Sequence, residues 1–461
     1  MDDADVRLFE QIGSALPGAG PPPRVAFSGP LRLLPSVYDV GALAAATVAS
    51  ATASVSALWA CRTGQPARPV HVDRTHAAVA FRSERYLEAS GWTPVPVWDP
   101  IAGDYRTADG WIRLHTNYAS HRDAVLRVLG VAASRDAVSE ASRAWKGEDL
   151  EEAVVAAGGC AARLRTAAEW AAHPQGAIVA GAPLFETSSR PAEALDLGAP
   201  CHAPLEGVRV LDLTRVMAGP VCTRFLAAYG ADVLRVDPSG FEEVPALLPE
   251  MTVGKRRAFL DLREDADRHA FEALLASAHV LVHGYRSDAL DRLGLGEERR
   301  RSVNRSLVDI GLDAYGFAGP WATRRGFDSL VQMSNGIADR GRVAAGVDPP
   351  HPLPAQALDH GAGYLMAAAA CRGVARRLVE RKACTFRLSL ARVAKLLMDM
   401  GDDGEVRGRD LGEADVDRWR EAAETTFGPV RRVKCPGAIE GFEPRWTRTA
   451  GPLGIDPPAW T

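Results

Sequence analysis

Two aspartates occupy equivalent places in a broken internal repeat. Residues 34–42 read LPSVYDVGA and residues 354–362 read PAQALDHGA, so Asp39 and Asp359 each begin an Asp-x-Gly-Ala motif. Aspartate is a favoured helix N-cap, which is the structural interpretation of both positions. A helix N-terminus also favours the ionised carboxylate, and a carboxylate can act as a nucleophile that takes up an acyl group. The repeat therefore contains two candidate nucleophiles.

The segments that follow the two aspartates predict the same strand and helix elements. Each motif opens an Ala-rich apolar stretch, at 43–60 and 363–375, and a β-like run comes after it, at 70–72 and 386–390. Such self-similarity predicts a partial internal duplication. Asp39 has no nucleotide-fold block upstream of it, which favours a structural cap there. Asp359 is therefore the first candidate and Asp39 the second.

The composition excludes several classes of protein. With 461 residues, 47% of them hydrophobic and 24% charged, the chain can form two or three globular domains. A net charge of −4 provides no basic surface, so we expect no nucleic-acid partner. The seven cysteines form no Cys-x-x-Cys pair, so neither a metal site nor a disulfide framework is expected. The N-terminal residues do not resemble a signal peptide, and we expect a cytoplasmic protein.

One uncharged stretch, 40–60, is long enough to span a bilayer. It is rich in alanine, serine and threonine, which makes its apolarity weak. The equivalent stretch after Asp359 is interrupted by Arg372, Arg376 and Arg377. We therefore predict a buried helix packed on a sheet, and no association with a membrane.

The central part of the chain alternates between strand-like and helix-like segments. The predicted strands are 208–213, 231–237, 258–262, 279–283 and 307–310, and the clearest predicted helices are 221–229 and 266–276. This alternation predicts βαβ units in a parallel sheet. Ligands bind beyond the carboxyl ends of such strands. The predicted site therefore lies in the loops 214–220, 237–257, 283–288 and 311–328.

The predicted fold class is α/β, with a doubly wound, Rossmann-like parallel sheet and a second, smaller α+β domain. The small domain contains a hairpin at 105–114 around Asp109-Gly110. The expected organisation is a loose arm at 1–30, the first Asp–helix–strand unit at 31–85, the small domain at 86–182, a Pro-rich linker at 183–204, the Rossmann-like domain at 205–400, and a C-terminal helix and Pro-rich tail at 401–461.

The first strand–loop–helix of the sheet could suggest a dinucleotide site. Asp237 ends the second strand, where an NAD enzyme carries its ribose-binding acid. The loop 214–220 reads TRVMAGP and lacks Gly-x-Gly-x-x-Gly, so it does not encode a close approach to a pyrophosphate. We therefore expect no NAD binding.

Several segments occur in the order of one known family. They are 204–220 (PLEGVRVLDLTRVMAGP), 229–237 (YGADVLRVD), 254–262 (GKRRAFLDL), 283–295 (HGYRSDALDRLGL), 316–321 (GFAGPW) and 326–328 (GFD), followed by Asp359. Together they resemble the class III CoA-transferases (CaiB/BaiF type), which include formyl-CoA transferase, carnitine CoA-transferase and α-methylacyl-CoA racemase. Residues 100–176 also resemble the small domain of that family.

The resemblance implies an activity and a set of partners. In the family, the aspartate that matches Asp359 takes the acyl group as a mixed anhydride. The CoA thiolate then converts it to an aspartyl-CoA thioester, and the acceptor acid collects the CoA. The resemblance thus implies an acyl-CoA and a carboxylic acid as substrates, no metal, and an interlocked homodimer. In such a dimer the small domain of one chain lies near the site of the other.

The CoA phosphates require basic partners. Lys255, Arg256 and Arg286 match basic positions of the family, and Arg235 is a further candidate. The remaining predicted contacts are Val216, Met217, Ala218 and His283, which lie in the matching segments. The family often carries an arginine after the acid that ends the second strand, whereas Pro238 follows Asp237 here.

Two alternatives stay open beside CoA transfer. The missing arginine suggests a non-catalytic relative that only binds acyl-CoA. An acyl-CoA racemase or isomerase is the other alternative, but Phe327 stands where the racemases carry a histidine, and one of the two bases for proton transfer is then lacking. His360 adjoins Asp359, and we expect it to have a supporting or surface role.

Overall fold

The structure, a computed structural model, describes residues 3–20, 22–198, 202–241 and 243–461. The helices are α1 Ala4–Ala15, α2 Val40–Thr63, α3 Arg74–Ala80, α4 Ala119–Leu129, α5 Arg135–Ser142, α6 Gly147–Ala156, α7 Ala167–Ala172, α8 Pro174–Gly181, α9 Ala218–Ala228, α10 Leu248–Met251, α11 Asp265–Ser277, α12 Ala289–Arg292, α13 Glu297–Val303, α14 Asp328–Ser334, α15 Ile337–Ala345, α16 Ala357–Glu380, α17 Leu390–Met398 and α18 Glu413–Asp417. The strands are β1 Val25–Ser28, β2 Val70–Asp73, β3 Glu88–Ala89, β4 Gly103–Arg106, β5 Trp111–Leu114, β6 Ala161–Arg163, β7 Glu186–Pro191, β8 Arg209–Leu213, β9 Asp232–Asp237, β10 Lys255–Phe259, β11 Val280–His283, β12 Val308–Asp313, β13 Lys382–Ser389, β14 Arg420–Thr425, β15 Gly428–Val433 and β16 Ala438–Ile439.

A seven-stranded sheet with the order β10-β9-β8-β11-β12-β13-β7 forms the centre of the molecule. Neighbouring strands from β10 to β13 are parallel, and only β7 runs antiparallel at the edge. Counted from β8, the six parallel strands have the order 3-2-1-4-5-6 of a doubly wound nucleotide-binding fold. The predicted fold class is confirmed.

Alternating residues of the strands build the two layers of the core. Val210 and Val280 belong to a cluster on one face that includes residues of α9 and α16. Their neighbours Leu211 and Leu281 belong to a second cluster that includes residues of α11. Because successive side chains of a strand point to opposite faces, the apolar runs of this sheet require helices on both sides.

The internal duplication is visible as two strand–helix–strand units. In the first, parallel strands β1 and β2 flank α2, and in the second, parallel strands β12 and β13 flank α16. A further helix follows each unit, α3 after β2 and α17 after β13. Helices α2 and α16 both have 24 residues and pack against each other. The first unit forms a separate three-stranded sheet with β16.

Among the described residues, α2 is the one helix long and apolar enough to cross a membrane. In this structure, 94% of the most apolar 18-residue stretch of α2 is buried inside the protein. Its hydroxyl groups donate to its own backbone, as Thr47 does to the Leu43 carbonyl and Ser50 to that of Ala46, both at 2.8 Å. These bonds let polar residues pack in a core, since a buried hydroxyl needs a partner.

Three predicted boundaries need correction. The segment 1–30 is not a loose arm, because α1 buries Leu8 and Ile12 against α2 and β1 pairs with β2. The linker 183–204 contains β7, which closes the edge of the main sheet, and its residues 199–201 lie outside the described ranges. The tail after 401 forms a sheet, in which β14 and β15 pair with each other and β15 with β3.

The small domain contains a three-stranded sheet, β4-β5-β6, beside the helices α4 to α8. The predicted hairpin is present, with Tyr105 opposite Ile112 across β4 and β5. Side chains of this domain reach the main sheet: Gln175 donates to the carbonyls of Tyr315 and Ala318, both at 2.9 Å. One chain thus brings the small domain against the end of its own sheet.

Candidate active site

A cavity of about 450 Å³ lies beyond the carboxyl ends of β8, β11 and β12. Loop residues 213–219, 284–286 and 312–314 line it on the side of the sheet. Tyr118 and His121 of the small domain line the opposite side. The strand order reverses between β8 and β11, and such a reversal creates the crevice in which open α/β sheets bind ligands. We call this space the first cavity.

A second cavity, of about 380 Å³, adjoins the first. Four residues line both: Val216, Met217, Phe327 and Asp359. Its other walls include Glu84 and Arg85 from the first repeat unit and Trp98 and His115 from the segment that follows. The Asp359 carboxylate therefore lies where two binding spaces meet.

Asp359 does not cap its helix, because α16 begins two residues earlier, after Gln356. Asp328 performs that function instead. Its Oδ2 accepts hydrogen bonds from the backbone N–H of Leu358 at 2.8 Å and of Asp359 at 3.0 Å, and the Gln332 amide donates to its Oδ1. Since Asp328 satisfies the helix N-terminus, the Asp359 side chain is left to face the cavities.

Burial and two neighbouring carboxylates raise the pKa of Asp359. Burial raises the pKa of the Asp359 carboxyl well above its usual range, and the charges of Asp328 and Glu84 raise it further. Burial also raises the pKa of Asp328 to about 6. The expectation that the helix N-terminus keeps Asp359 ionised is therefore wrong in direction, since burial and like charge outweigh the helix dipole.

Glu84 differs from Asp328 and Asp359 because a histidine side chain forms a hydrogen bond with it. His360 Nε2 donates to Glu84 Oε2 at 3.1 Å. Burial opposes ionisation of Glu84, but the hydrogen bond and charge of His360, together with the charge of Arg85, outweigh it, and the pKa of Glu84 is lowered. His360 is fully buried, with its ring stacked on Phe81, so it supports Glu84 and is not at the surface.

The second candidate nucleophile, Asp39, is a helix cap. Its carboxylate accepts a hydrogen bond from the Ala42 N–H at 2.9 Å and pairs with Arg32 at 3.3 Å. Asp39 lines neither the first nor the second cavity. The structural interpretation therefore fits Asp39.

Four of the predicted CoA contacts line the first cavity: Val216, Met217, Ala218 and Arg286. Val216 has a positive φ of 62°, which is uncommon for a β-branched residue. The loop thus turns sharply out of β8 into α9. This turn places the N-terminus of an eleven-residue helix at the cavity, where its N–H groups favour an anion.

The other basic candidates serve the interior of the protein. Lys255 Nζ is fully buried and pairs with Asp212 at 2.9 Å, while Arg235 pairs with Asp237 at 2.8 Å. Arg256 pairs with Asp232 at 2.8 Å. These three residues pair with acids of β8 and β9 and do not line the first cavity, so this arrangement does not support their prediction as CoA contacts.

His283 is also directed away from the first cavity. Its Nε2 lies 3.1 Å from an oxygen of Asp309, and it lines a separate polar space of about 490 Å³. Arg286 contributes to the walls of both spaces. His283 therefore does not line the first cavity, and its prediction as a CoA contact is not supported by this arrangement.

Three cationic residues of the first cavity escaped prediction: Arg215, Arg324 and Arg325. The Arg215 guanidinium lies 3.6 Å from the centre of the Phe241 ring, and that of Arg324 lies 3.9 Å from the Trp321 ring. All three lie in loops that the sequence assigns to the site. Position in those loops was the available signal, whereas similarity to the family's basic positions led to the buried lysine and arginines.

The position that carries histidine in the racemases holds Phe327. His115 stacks face to face on its ring, with the centroids 3.8 Å apart and the planes parallel. Burial lowers the pKa of His115 to about 3 and that of His121 to about 4, so both imidazoles are neutral at pH 7. The two imidazoles beside Phe327 therefore carry no charge at pH 7.

Comparison with known proteins agrees with this geometry. Residues 205–408 match the model of CoA-transferase family III. This part of the chain is similar to that family. The matched residues span the parallel sheet from before β8 to beyond α17, and they contain Asp359.

The chain is also similar to an acyl-CoA transferase of Gibberella moniliformis, 26% identical over 309 residues that cover 58% of this chain and 54% of the relative. A probable fatty acyl-CoA transferase of Mycobacterium tuberculosis is 30% identical over 187 residues, which cover 38% of this chain and 47% of the relative. A formyl-CoA:oxalate CoA-transferase of Rhodopseudomonas palustris is 29% identical over 175 residues, 35% of this chain and 40% of the relative. The chain thus spans about half or less of the length of these relatives.

Two solved structures align with part of the chain. A crystal structure of a Mycobacterium tuberculosis protein aligns with a TM-score of 0.39 and 28% identity, covering 43% of this chain and 58% of that one. A CAIB/BAIF family protein from Brucella suis aligns with a TM-score of 0.39 and 23% identity, covering 50% and 65%.

Proposed function

We propose that this protein moves CoA from an acyl-CoA donor to a carboxylic acid acceptor, with Asp359 as the covalent nucleophile. The observation that carries the proposal is the position of Asp359. Its carboxylate lines two adjoining cavities, while Asp328 takes over the capping of its helix. A nucleophile shared between a cofactor space and a second substrate space is what a two-step transfer requires.

The reaction conserves the thioester in four steps. An Asp359 oxygen attacks the donor thioester carbonyl, and the C–S bond breaks to release the CoA thiolate and leave an acyl-aspartyl anhydride. The thiolate attacks the aspartyl carbonyl, which releases the donor acid and forms aspartyl-CoA. The acceptor carboxylate attacks that thioester and frees the thiolate again. The thiolate then attacks the acceptor carbonyl, which releases acceptor acyl-CoA and restores the Asp359 carboxylate.

The first cavity suits the phosphate-bearing part of CoA. Four arginines line it, Arg215, Arg286, Arg324 and Arg325, and guanidinium groups bind phosphates through paired hydrogen bonds. The N-terminus of α9 adds backbone N–H groups. Gly219 allows α9 to lie against its own loop, because a Cβ there would overlap the Thr214 side chain.

The raised pKa of Asp359 has a consequence for catalysis. Only the ionised carboxylate attacks a thioester, so the protein needs a pH above that pKa for the first step. The same destabilised carboxylate is more reactive than a solvated one, because burial removes the water that would stabilise its charge. Glu84 and Asp328 thus influence the nucleophile through their charges.

One observation favours a second function, the binding of acyl-CoA without transfer. Lys255, Arg235 and Arg256, which match basic positions of the family, are all engaged in internal ion pairs. A binding protein would bind CoA in the first cavity and form no bond to Asp359. Racemisation lacks such support, since Phe327 provides no base at its position.

Mass spectrometry of the intact chain tests the proposal. We expect incubation with acyl-CoA donors such as acetyl-CoA, without any acceptor, to add CoA covalently to the chain. Asp359→Asn should remove the adduct, and Asp39→Asn, the matched variant of the other repeat, should keep it. An adduct that persists in Asp359→Asn would exclude Asp359 as the nucleophile. CoA binding without any adduct would favour the binding protein.

A homodimer and a cytoplasmic location stay predictions. The described residues of one chain already supply the walls of both cavities, from Glu84 to Leu390. We therefore expect transfer activity per chain to be independent of protein concentration. Sedimentation and activity measured on the same dilution series would test this.

A further inference from the structure

The second cavity is built differently from the first. Its apolar walls are Val97, Trp98, Val216, Met217, Leu247 and Phe327. The first cavity has four arginines around it, whereas Arg85 is the one cationic side chain among the described residues that line the second. A space of this size that combines apolar walls with a set of placed polar groups is typical of a pocket for a small organic molecule.

Flat rings form one side of this second cavity. Phe327 and His115 lie parallel with their ring centres 3.8 Å apart. Trp98 meets His115 edge to face at 6.0 Å and is 40% exposed. The Arg113 guanidinium lies 5.4 Å from the Trp98 ring and holds it in place. These rings offer a preformed surface on which a flat apolar group can stack.

Arg85 is anchored on one edge. Its Nη1 donates to the Pro354 carbonyl at 3.0 Å, and its Nε lies 3.5 Å from Glu84 Oε1. Glu84 is held in turn by His360. The Arg85 side chain is 47% exposed, so part of its guanidinium fork stays accessible from the cavity. Such an anchored fork can receive a carboxylate without losing much conformational freedom.

An acceptor acid meets a demanding environment here. Glu84, Asp328 and Asp359 all line the second cavity, and an incoming carboxylate would be repelled by acids alone. A cation beside them is needed to hold the acceptor anion near the nucleophile. Arg85 occupies that place.

We propose that the second cavity binds a carboxylic acid with a flat, apolar group, with Arg85 binding the carboxylate and Trp98 covering the ring. This inference rests on the proposed function, since it assigns the acceptor of the same site. It excludes small acids without a side group as preferred ligands. Arg85 and Trp98 then determine specificity, whereas Asp359 performs the chemistry.

Binding measured by ligand-observed NMR on the full chain tests the inference without any turnover. The probes are phenylacetate, acetate and the uncharged phenylacetamide. We expect phenylacetate to bind about tenfold more tightly than acetate, because phenylacetate buries a ring that acetate lacks. We also expect it to bind about tenfold more tightly than phenylacetamide, because a charged hydrogen bond to Arg85 is lost in the amide.

Two variants and their controls assign these preferences to residues. Trp98→Ala should remove most of the preference for phenylacetate over acetate, while Phe259→Ala, with a ring 39% exposed outside both cavities, should keep it. Arg85→Gln should remove the preference for acid over amide. Arg85→Lys should retain part of it. Arg106→Gln, a half-exposed arginine paired with Asp348 away from the cavities, should retain all of it.

The outcomes separate this inference from the transfer function. Equal binding of phenylacetate and acetate overturns it, and so does a Trp98→Ala variant that behaves like Phe259→Ala. An Arg85→Gln variant that behaves like Arg106→Gln overturns the role of Arg85. If these preferences are present but the CoA adduct does not form, transfer fails while the acid pocket stands. If the adduct forms without any preference, transfer stands and the pocket assignment fails.

Discussion

The two copies of the repeat place the same residue in different surroundings. Asp39 lies just before α2, where it caps the helix and pairs with Arg32. Asp359 lies inside the first turn of α16, and Asp328 from a separate segment caps that helix. An aspartate at a helix start thus becomes available for chemistry only when another group satisfies the backbone. The motif alone does not distinguish the two situations.

The sheets differ as well as the caps. The unit around α16 belongs to the seven-stranded sheet, whose reversal of strand order creates the first cavity. The unit around α2 belongs to a three-stranded sheet made by β1, β2 and β16. Asp39 therefore has a helix of the same length beside it but no sheet crevice in front of it. Position at a crevice, more than the local motif, determines which aspartate faces a binding space.

The largest effect should come from replacing each of the two carboxylates by an amide in separate variants. Asp359→Asn should lower kcat/KM for transfer by about a thousandfold or more, since it removes the nucleophile. Asp39→Asn should leave kcat/KM near that of the unmodified protein, because asparagine also caps a helix. Steady-state transfer assays compare the two. Equal losses in both variants would contradict the difference that we infer between the repeats.

The crevice itself can be tested at Arg215. Arg215→Gln should raise KM for the acyl-CoA donor about tenfold, because it removes a cation from the wall of the first cavity. Arg263→Gln is the control, since Arg263 pairs with Asp261 at the surface and its side chain is 72% exposed. Kinetics with varied donor measure both. A KM unchanged in Arg215→Gln would remove the first cavity as the CoA site.

A smaller effect should separate the charge of Asp328 from its capping. Asp328→Asn keeps an oxygen that accepts from the helix N-terminus but removes a negative charge beside Asp359. The pKa of Asp359 is raised in part by that charge, so the variant should lower it. Activity is lost as the pH falls through this pKa, and the acidic limb of the pH profile should therefore move to lower pH.

The measurement for Asp328 is kcat/KM across a pH series. Asp328→Ala is the companion variant, because it removes both the charge and the cap. We expect it to shift the profile in the same direction and also to lower the free energy of unfolding by about 1 kcal/mol. An acidic limb that stays in place in both variants would show that Asp328 does not influence the nucleophile.

The smallest effect should fall on the stability of the first repeat. Asp39→Ala should lower the free energy of unfolding by about 1 kcal/mol through the lost cap, and the pair with the half-exposed Arg32 should add little. Transfer activity of the folded protein should not change. Denaturant titration measures the free energy of unfolding, and the transfer assay measures the activity. A lost activity at full stability would give Asp39 a role that the structure does not indicate.

The sequence predicted the sheet well because its pattern is local. Apolar runs with short helices between them identify β8, β9, β11 and β12 to within a few residues. The third strand was placed at 258–262, whereas β10 spans Lys255–Phe259. Its first three residues are basic, and no local pattern shows that the distant acids Asp212, Asp232 and Asp456 will pair with them.

Local sequence patterns also predict part of the candidate site. The loops that line the first cavity follow from the strand order, and Asp359 follows from the family motif. The burial of Lys255 could not be predicted, because its partner Asp212 is distant in the sequence and meets it only through the pairing of strands. The second cavity could not be predicted, since Glu84, Trp98 and Asp359 come together only after the two repeat units pack.

The packing of α2 against α16 has an evolutionary consequence. Both copies are part of one gene and share one buried contact, yet each faces a different selection. Changes in the α2 copy are limited by the stability of the helix pair, whereas changes near Asp359 would, under the proposed function, be limited by reaction rate as well. The motif around Asp39 can therefore persist through the cap and the packing of its helix alone.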